Sequence, residues 1–156
     1  MLRRARHVLG DDVALGVGTV VTRAQADSAA DAGAGYLVTP AVIPELAHHR
    51  LPVLAGALTP SEIVAAQAGG ACAIKLFPTP GVGYLRAIRG PFPDVPFVPV
   101  GGVDVNDVRT YLAAGAAAVG VGSPLLGDAP HGGDLEALRV RASAFLDAAR
   151  TPTYST

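Results

Sequence analysis

Short apolar runs alternate with segments of helical periodicity along the chain. The runs lie at 13–20, 35–40, 52–58, 71–78, 96–102 and 117–123. They are continuously apolar rather than alternating, the pattern of strands in a parallel sheet. Between the first two runs, Thr22-Arg-Ala-Gln25 has the form of a capping box, and the helix it opens stops near Gly33. A short helix is predicted over 44–49. Thr59-Pro-Ser-Glu62 opens the next helix, with Thr as N-cap, Pro at the first helical position and Glu at the third; Gly69-Gly70 closes it. A helix over 81–89 is broken by Gly90-Pro-Phe-Pro93. Asp104 caps a helix through about Ala114. A loop holding Pro130 and Gly132-Gly133 leads to a last amphipathic helix over 134–150, and 151–156 reads as a frayed tail.

Six strand-plus-helix units in succession predict an α/β fold, one domain over 1–150, with a parallel sheet covered by helices. A doubly wound sheet and part of an eight-fold β/α barrel both suit this order. Both place ligands at the C-terminal edge of the strands. Special residues gather there: Thr19, Thr39-Pro40, Lys75, Gly101-Gly102 and Gly122-Ser123. The Gly16-x-Gly18 pair lacks the third glycine of a dinucleotide fingerprint.

Composition narrows the function classes. The chain has 156 residues, half of them apolar and 16% charged, which excludes intrinsic disorder. A net charge of −1 weighs against a nucleic-acid or anionic-membrane binder acting by bulk charge. No apolar run approaches the ~20 residues of a membrane span. The basic start, with Arg3, Arg4 and Arg6, lacks the apolar stretch of a signal peptide. The single cysteine, Cys72, permits no intramolecular disulfide and fits a reducing cytoplasm. The histidines and Cys72 show no metal-ligand spacing, so no metal site is expected.

The chain has eleven arginines and one lysine, Lys75, which sits in the apolar run Ala71-Cys-Ala-Ile-Lys-Leu-Phe-Pro78. Strand alternation puts Ala71, Ala73, Lys75 and Phe77 on one face and Cys72, Ile74 and Leu76 on the other. Desolvation lowers a lysine's pKa, and the neutral amine attacks carbonyl carbon to form a Schiff base. The plainer reading is an ammonium that reaches water at the strand end, or one held in an ion pair. Gly101-Gly102 and Gly122-Ser123 follow the last two runs; such glycines let backbone N–H groups approach a phosphate, or serve as tight turns. Thr19 either hydrogen-bonds a carboxylate or ends a strand. Pro40 is read as a strand terminator and Phe77 as a pocket wall or a core residue. Glu45, Glu62, Asp104 and Asp107 are read as helix-start residues. His7, His48, His49 and His131 make poor acid–base candidates, and Cys72 is expected to pack.

Seven motifs in order carry a resemblance: Gly16-Val-Gly-Thr-Val20, Leu37-Val-Thr-Pro40, Leu58-Thr-Pro-Ser-Glu62, Ile74-Lys-Leu-Phe-Pro78, Arg89-Gly-Pro-Phe-Pro93, Val98-Pro-Val-Gly-Gly102 and Val119-Gly-Val-Gly-Ser123. From about residue 3 to 150 the chain resembles the 2-keto-3-deoxy-6-phosphogluconate (KDPG) and 4-hydroxy-2-oxoglutarate (KHG) aldolases. The resemblance implies a class I aldolase on a (β/α)8 barrel, usually a homotrimer. It assigns Lys75 the Schiff base, Thr19 and Pro40 contacts to the pyruvate moiety, and Phe77 the pocket wall. Gly101, Gly102, Gly122 and Ser123 match the phosphate-binding positions. The substrate is then a phosphorylated keto-acid sugar, cleaved to pyruvate and glyceraldehyde 3-phosphate, with no cofactor because the iminium is the electron sink. Val100 stands where the family usually has threonine, as in the related phosphogalactonate aldolases. The family's first strand, first helix and second strand, with its acid–base glutamate, have no counterpart, and Met1 falls where the second helix belongs. The expectation is an incomplete barrel of about six units with a true start upstream and little or no turnover by this chain alone. The alternative is a non-catalytic phosphate-binding or assembly protein derived from the same fold.

Overall fold

The computed structural model describes residues 1–150; the predicted tail 151–156 lies outside the described residues. The chain divides into two compact units, Met1–Lys75 and Leu76 onward.

The first unit begins with α1 (Leu2–Leu9), which the hydrophobic pattern does not announce because it buries no residue. It is tied down by Arg6, whose guanidinium donates to the carbonyls of Gly10, Val13 and Gly33 at 2.9, 2.8 and 3.3 Å. Then come β1 (Gly16–Val17), α2 (Arg23–Asp31), β2 (Tyr36–Val38), a 3-10 turn (Pro44–Leu46), β3 (Val53–Ala57), α3 (Pro60–Ala68) and β4 (Ala73–Leu76), whose last residue opens the second unit. Both predicted N-caps form: Thr22 accepts from the Gln25 N–H, and Thr59 and Glu62 make a reciprocal capping box. The helix expected over 44–49 contracts to the 3-10 turn. Leu37, Val53, Ala55, Ile63, Ala66 and Ile74 make the core between strands and helices.

The second unit continues with α4 (Val82–Arg89), β5 (Phe97–Pro99), α5 (Val105–Ala113), α6 (Ser123–Leu126), a 3-10 turn (Ala129–His131) and α7 (Leu135–Arg150). Its core holds Leu76, Leu85, Ile88, Phe97, Val103 and Val108. Asp104 caps α5 in a second capping box with Asp107.

The strands hydrogen-bond in the order β1-β2-β3-β4-β5, a five-stranded parallel sheet within an α/β layout. The sixth run does not become a named strand. It makes one parallel bridge, Val100 to Gly120, and Ala117 and Ala118 are exposed. Apolar composition alone does not make a strand; a ladder of hydrogen bonds does.

Candidate functional site

In the first unit, β4 alternates as predicted. Ile74 and Leu76 are 1% and 0% exposed, while Ala73 and Lys75 are half-buried on the other face. Burial holds the Lys75 ammonium below its usual pKa. A larger share of neutral amine is therefore available near the strand's end than on an exposed lysine.

Thr19 is exposed two residues beyond β1 and has φ 59. A β-branched residue in the left-handed region is strained by roughly 1–3 kcal/mol. The next residue fixes it there: Val20 is 1% exposed and its N–H donates to the Val38 carbonyl at 3.2 Å. Thr19 is thus left exposed while Val20 is held in the core.

Pro40 is half-buried beyond β2. Thr39, before it, is fully buried; its hydroxyl donates to the Ala41 carbonyl at 2.6 Å and accepts from the Gly56 N–H at 3.2 Å. These bonds fasten the Pro40 turn to β3, and Gly56 lies so close to the Pro40 backbone that a methyl group there would overlap it. Sequence reading singled out Pro40 but missed the role of Thr39. The available signal was a hydroxyl inside an apolar run, which must find a partner when buried.

In the second unit, Phe77 is exposed just beyond β4, and the Phe77–Pro78 peptide is cis. Its ring lies against Gly101, where a β-carbon would sit a tight 3.2 Å from Phe77 Cδ2 and Cε2. Gly101 and Gly102 have φ 98 and 71, two consecutive positive values that glycine adopts without strain. Such a backbone is open to glycine and keeps both positions free of side chain beside the loop. Thr79 anchors the loop after Phe77: its N–H donates to the Val100 carbonyl at 3.0 Å, and its hydroxyl meets the Tyr111 hydroxyl at 3.3 Å. Gly122 and Ser123 are exposed, and Ser123 begins the single turn of α6. One turn adds little dipole, so any anion affinity of this loop resides in its local N–H groups.

The remaining candidates take structural positions. Glu62 accepts from the N–H groups of Thr59 and Leu58 and from the Thr59 hydroxyl, and those bonds hold its carboxyl below the usual range. His49 has a fully buried side chain: Nδ1 accepts from the Leu51 N–H at 3.1 Å, so Nε2 carries the proton toward Asp27 at 3.3 Å. His48 is exposed with φ 53, His7 is exposed on α1, His131 is in a 3-10 turn and Glu45 is exposed in the other. Cys72 corrects an expectation: it is exposed rather than packed, because it precedes β4, and its thiol donates to the Val53 carbonyl at 3.3 Å. Among the described residues, no three His, Cys, Asp or Glu side chains gather as a metal site, and no helix is long and apolar enough to cross a membrane.

Comparison with known proteins agrees with this layout. The sequence model of the KDPG and KHG aldolase family matches residues 4–139. The 2-dehydro-3-deoxy-phosphogluconate aldolase of Pseudomonas aeruginosa is 41% identical over 106 residues, covering 64% of this chain and 48% of the relative. The chain thus spans about half the length of that relative. A solved native KDPGal structure superposes with a TM-score of 0.88 at 30% identity, over 96% of this chain and 74% of the other. The KDPG aldolase of Legionella pneumophila, solved with pyruvate captured as a covalent carbinolamine, superposes with a TM-score of 0.76 at 28% identity, over 95% of this chain and 72% of that one. With a five-stranded parallel sheet, a partly desolvated lysine on β4 and a family match over most of its length, the chain belongs to the KDPG and KHG aldolase family.

Proposed function

We propose that the protein acts as a class I aldolase on a 2-keto-3-deoxy-6-phospho sugar acid, of the phosphogluconate or phosphogalactonate type, yielding pyruvate and glyceraldehyde 3-phosphate. The observation that carries this reading is Lys75: the chain's one lysine, half-buried on β4 with its pKa lowered by desolvation, in a family of aldolases. The neutral Lys75 amine adds to the C2 ketone, and the carbinolamine takes up one proton and loses water to leave an iminium. The C4 hydroxyl gives up its proton to a base as the C3–C4 bond breaks. Its electron pair passes into the iminium to give an enamine, and glyceraldehyde 3-phosphate departs. C3 then takes a proton, and water hydrolyses the iminium to pyruvate and free Lys75. The chemistry runs through the imine and calls on no cofactor.

In this reading Thr19 hydrogen-bonds the pyruvate carboxylate and Pro40 bounds the same moiety. Phe77 walls the pocket, and Gly101, Gly102, Gly122 and Ser123 hold the phosphate. The strain at Thr19 supports its assignment, since such backbone persists where function requires it. Val100, a branched hydrocarbon in place of a hydroxyl, favours the phosphogalactonate type. The working form is a cytoplasmic homo-oligomer, trimeric as in the family.

The test is pyruvate release from both phosphorylated sugar acids by the chain and by Lys75→Ala, alongside thermal shifts with the same ligands. Release that requires Lys75, or a borohydride-reduced pyruvyl adduct that requires it, supports the aldolase. Ligand-induced stabilisation with neither release nor covalent adduct identifies a non-catalytic phosphate-binding protein.

A further inference from the structure

Arg141 stands half-buried on α7, two residues beyond the stretch matched by the family model. Its Nε donates to the Leu125 carbonyl at 2.8 Å and its Nη2 to the Leu126 carbonyl at 3.1 Å. These are the last two carbonyls of α6, which in so short a helix have no partner of their own. A guanidinium presents parallel donors in a rigid plane, so one side chain satisfies both, and its charge strengthens each bond.

The chain bends tightly around that group. Gly127 follows with φ 55, and a β-carbon there would lie 2.7 Å from Arg141 Nη2. Glycine at 127 meets the positive φ without strain and leaves the space beside the guanidinium free. The rest of the turn closes on itself: the N–H groups of Leu125 and Leu126 both donate to the Gly122 carbonyl at 3.0 Å, and that of Gly127 to the Ser123 carbonyl at 2.9 Å. Residues 122–127 are thus one hydrogen-bonded unit. One end is Gly122-Ser123; the other is clasped by Arg141. Arg139, on the same helix, is spent differently, on Glu136 at 2.6 Å.

We infer that Arg141 is a positioning residue for the phosphate end of the substrate. By fixing the carbonyl end of the 122–127 turn, it holds the Gly122 and Ser123 backbone in the form that receives the phosphate dianion. The inference deepens the aldolase reading and rests on it for the identity of the substrate, but its first test does not depend on catalysis.

That test is titration of the isotopically labelled chain with inorganic phosphate, following the amide resonances of Gly122 and Ser123. Those amides are expected to shift on saturation. Arg141→Gln is expected to weaken phosphate binding about tenfold, the scale of one charged hydrogen-bonding group. Arg141→Lys, which keeps the charge but not the fork, falls between, and Arg139→Gln leaves binding unchanged. If Arg141→Gln unfolds, Arg141→Lys carries the comparison. In turnover, Arg141→Gln raises KM for the phosphorylated sugar acid by about the same factor. It leaves kcat/KM for the unphosphorylated sugar acid and pyruvate capture at Lys75 unchanged. Loss of both substrates in proportion means a merely structural role and overturns the inference. So does a phosphate titration that leaves Gly122 and Ser123 still, or one that the folded Arg141 variants do not alter. Phosphate binding that depends on Arg141, in a chain that captures no pyruvate, overturns the aldolase reading and leaves the role of Arg141 intact.

Discussion

The run at 71–78 and the run at 117–123 read alike in the sequence, yet they fold differently. The first yields β4, with Ile74 and Leu76 1% and 0% exposed and Lys75 on the opposite, half-buried face. The second makes a single bridge at Gly120, leaves Ala117 and Ala118 exposed, and ends in the Gly122-Ser123 turn. β4 carries a side chain whose charge is discouraged by burial. In the proposed reading the later run acts instead through backbone, for which small residues and an open surface are suited. A strand that must desolvate an amine needs neighbours on both faces; a loop that must approach an anion needs none.

The largest effect that should separate the two runs is on stability. Leu76→Ala is expected to cost about 2–5 kcal/mol through lost burial and a residual cavity, read from urea unfolding. Val119→Ala, half-buried in the later run, should cost under about 1.5 kcal/mol. Equal costs would mean that the later run is as buried as β4, and the contrast would fail. Next comes Gly120→Ala. The new methyl would press on Val100 Cγ2, 2.5 Å away, at the one bridge the later run makes. A loss of about 1–3 kcal/mol is expected, and it should shrink in a Val100→Ala background, where the obstructing methyls are gone. A loss undiminished in that background would place the strain elsewhere.

Smaller effects bear on the helices that follow the strands. Thr59→Ala removes the acceptor for the Glu62 N–H and should cost about 1 kcal/mol. Glu62 itself should report through pH. Its carboxyl is held below the usual range by N–H donation from Thr59 and Leu58 and by the Thr59 hydroxyl. The unfolded chain therefore binds the proton first as pH falls. The contribution of Glu62 is complete above the ordinary carboxylate range and is lost as pH drops through the lowered folded value. Glu62→Gln should flatten that part of the acid unfolding curve. An unchanged curve would show that the capping box carries no charge-dependent stability.

What was legible in the sequence was local. Thr59-Pro-Ser-Glu62 and Asp104 announce their helices because a cap is satisfied within four residues. Lys75 stands out because a charge in an apolar run demands an explanation. Strand extents were less legible: β1 shrinks to Gly16–Val17 and the later run to a bridge, since ladders depend on partners far along the chain. The same applies to α1, held by Arg6 to carbonyls as distant as Gly33, and to the clasp of Arg141 on Leu125 and Leu126. The positive φ of Thr19 could not be read from a threonine, which disfavours it; it follows from the anchoring of Val20. The fastening role of Thr39 was not legible because its partner Gly56 is set by the β2–β3 pairing.

The central claim is that the partly desolvated amine of Lys75 is a carbonyl nucleophile. It is tested most directly by incubating the chain with pyruvate and sodium borohydride over a range of pH and measuring intact mass and the modified peptide. The account predicts one reduced pyruvyl adduct, on Lys75, absent in Lys75→Ala. Its rate of formation should rise with the neutral amine, with a midpoint below that of an exposed lysine because burial disfavours the ammonium. An adduct that survives Lys75→Ala, or none on the folded chain at any pH, would contradict it.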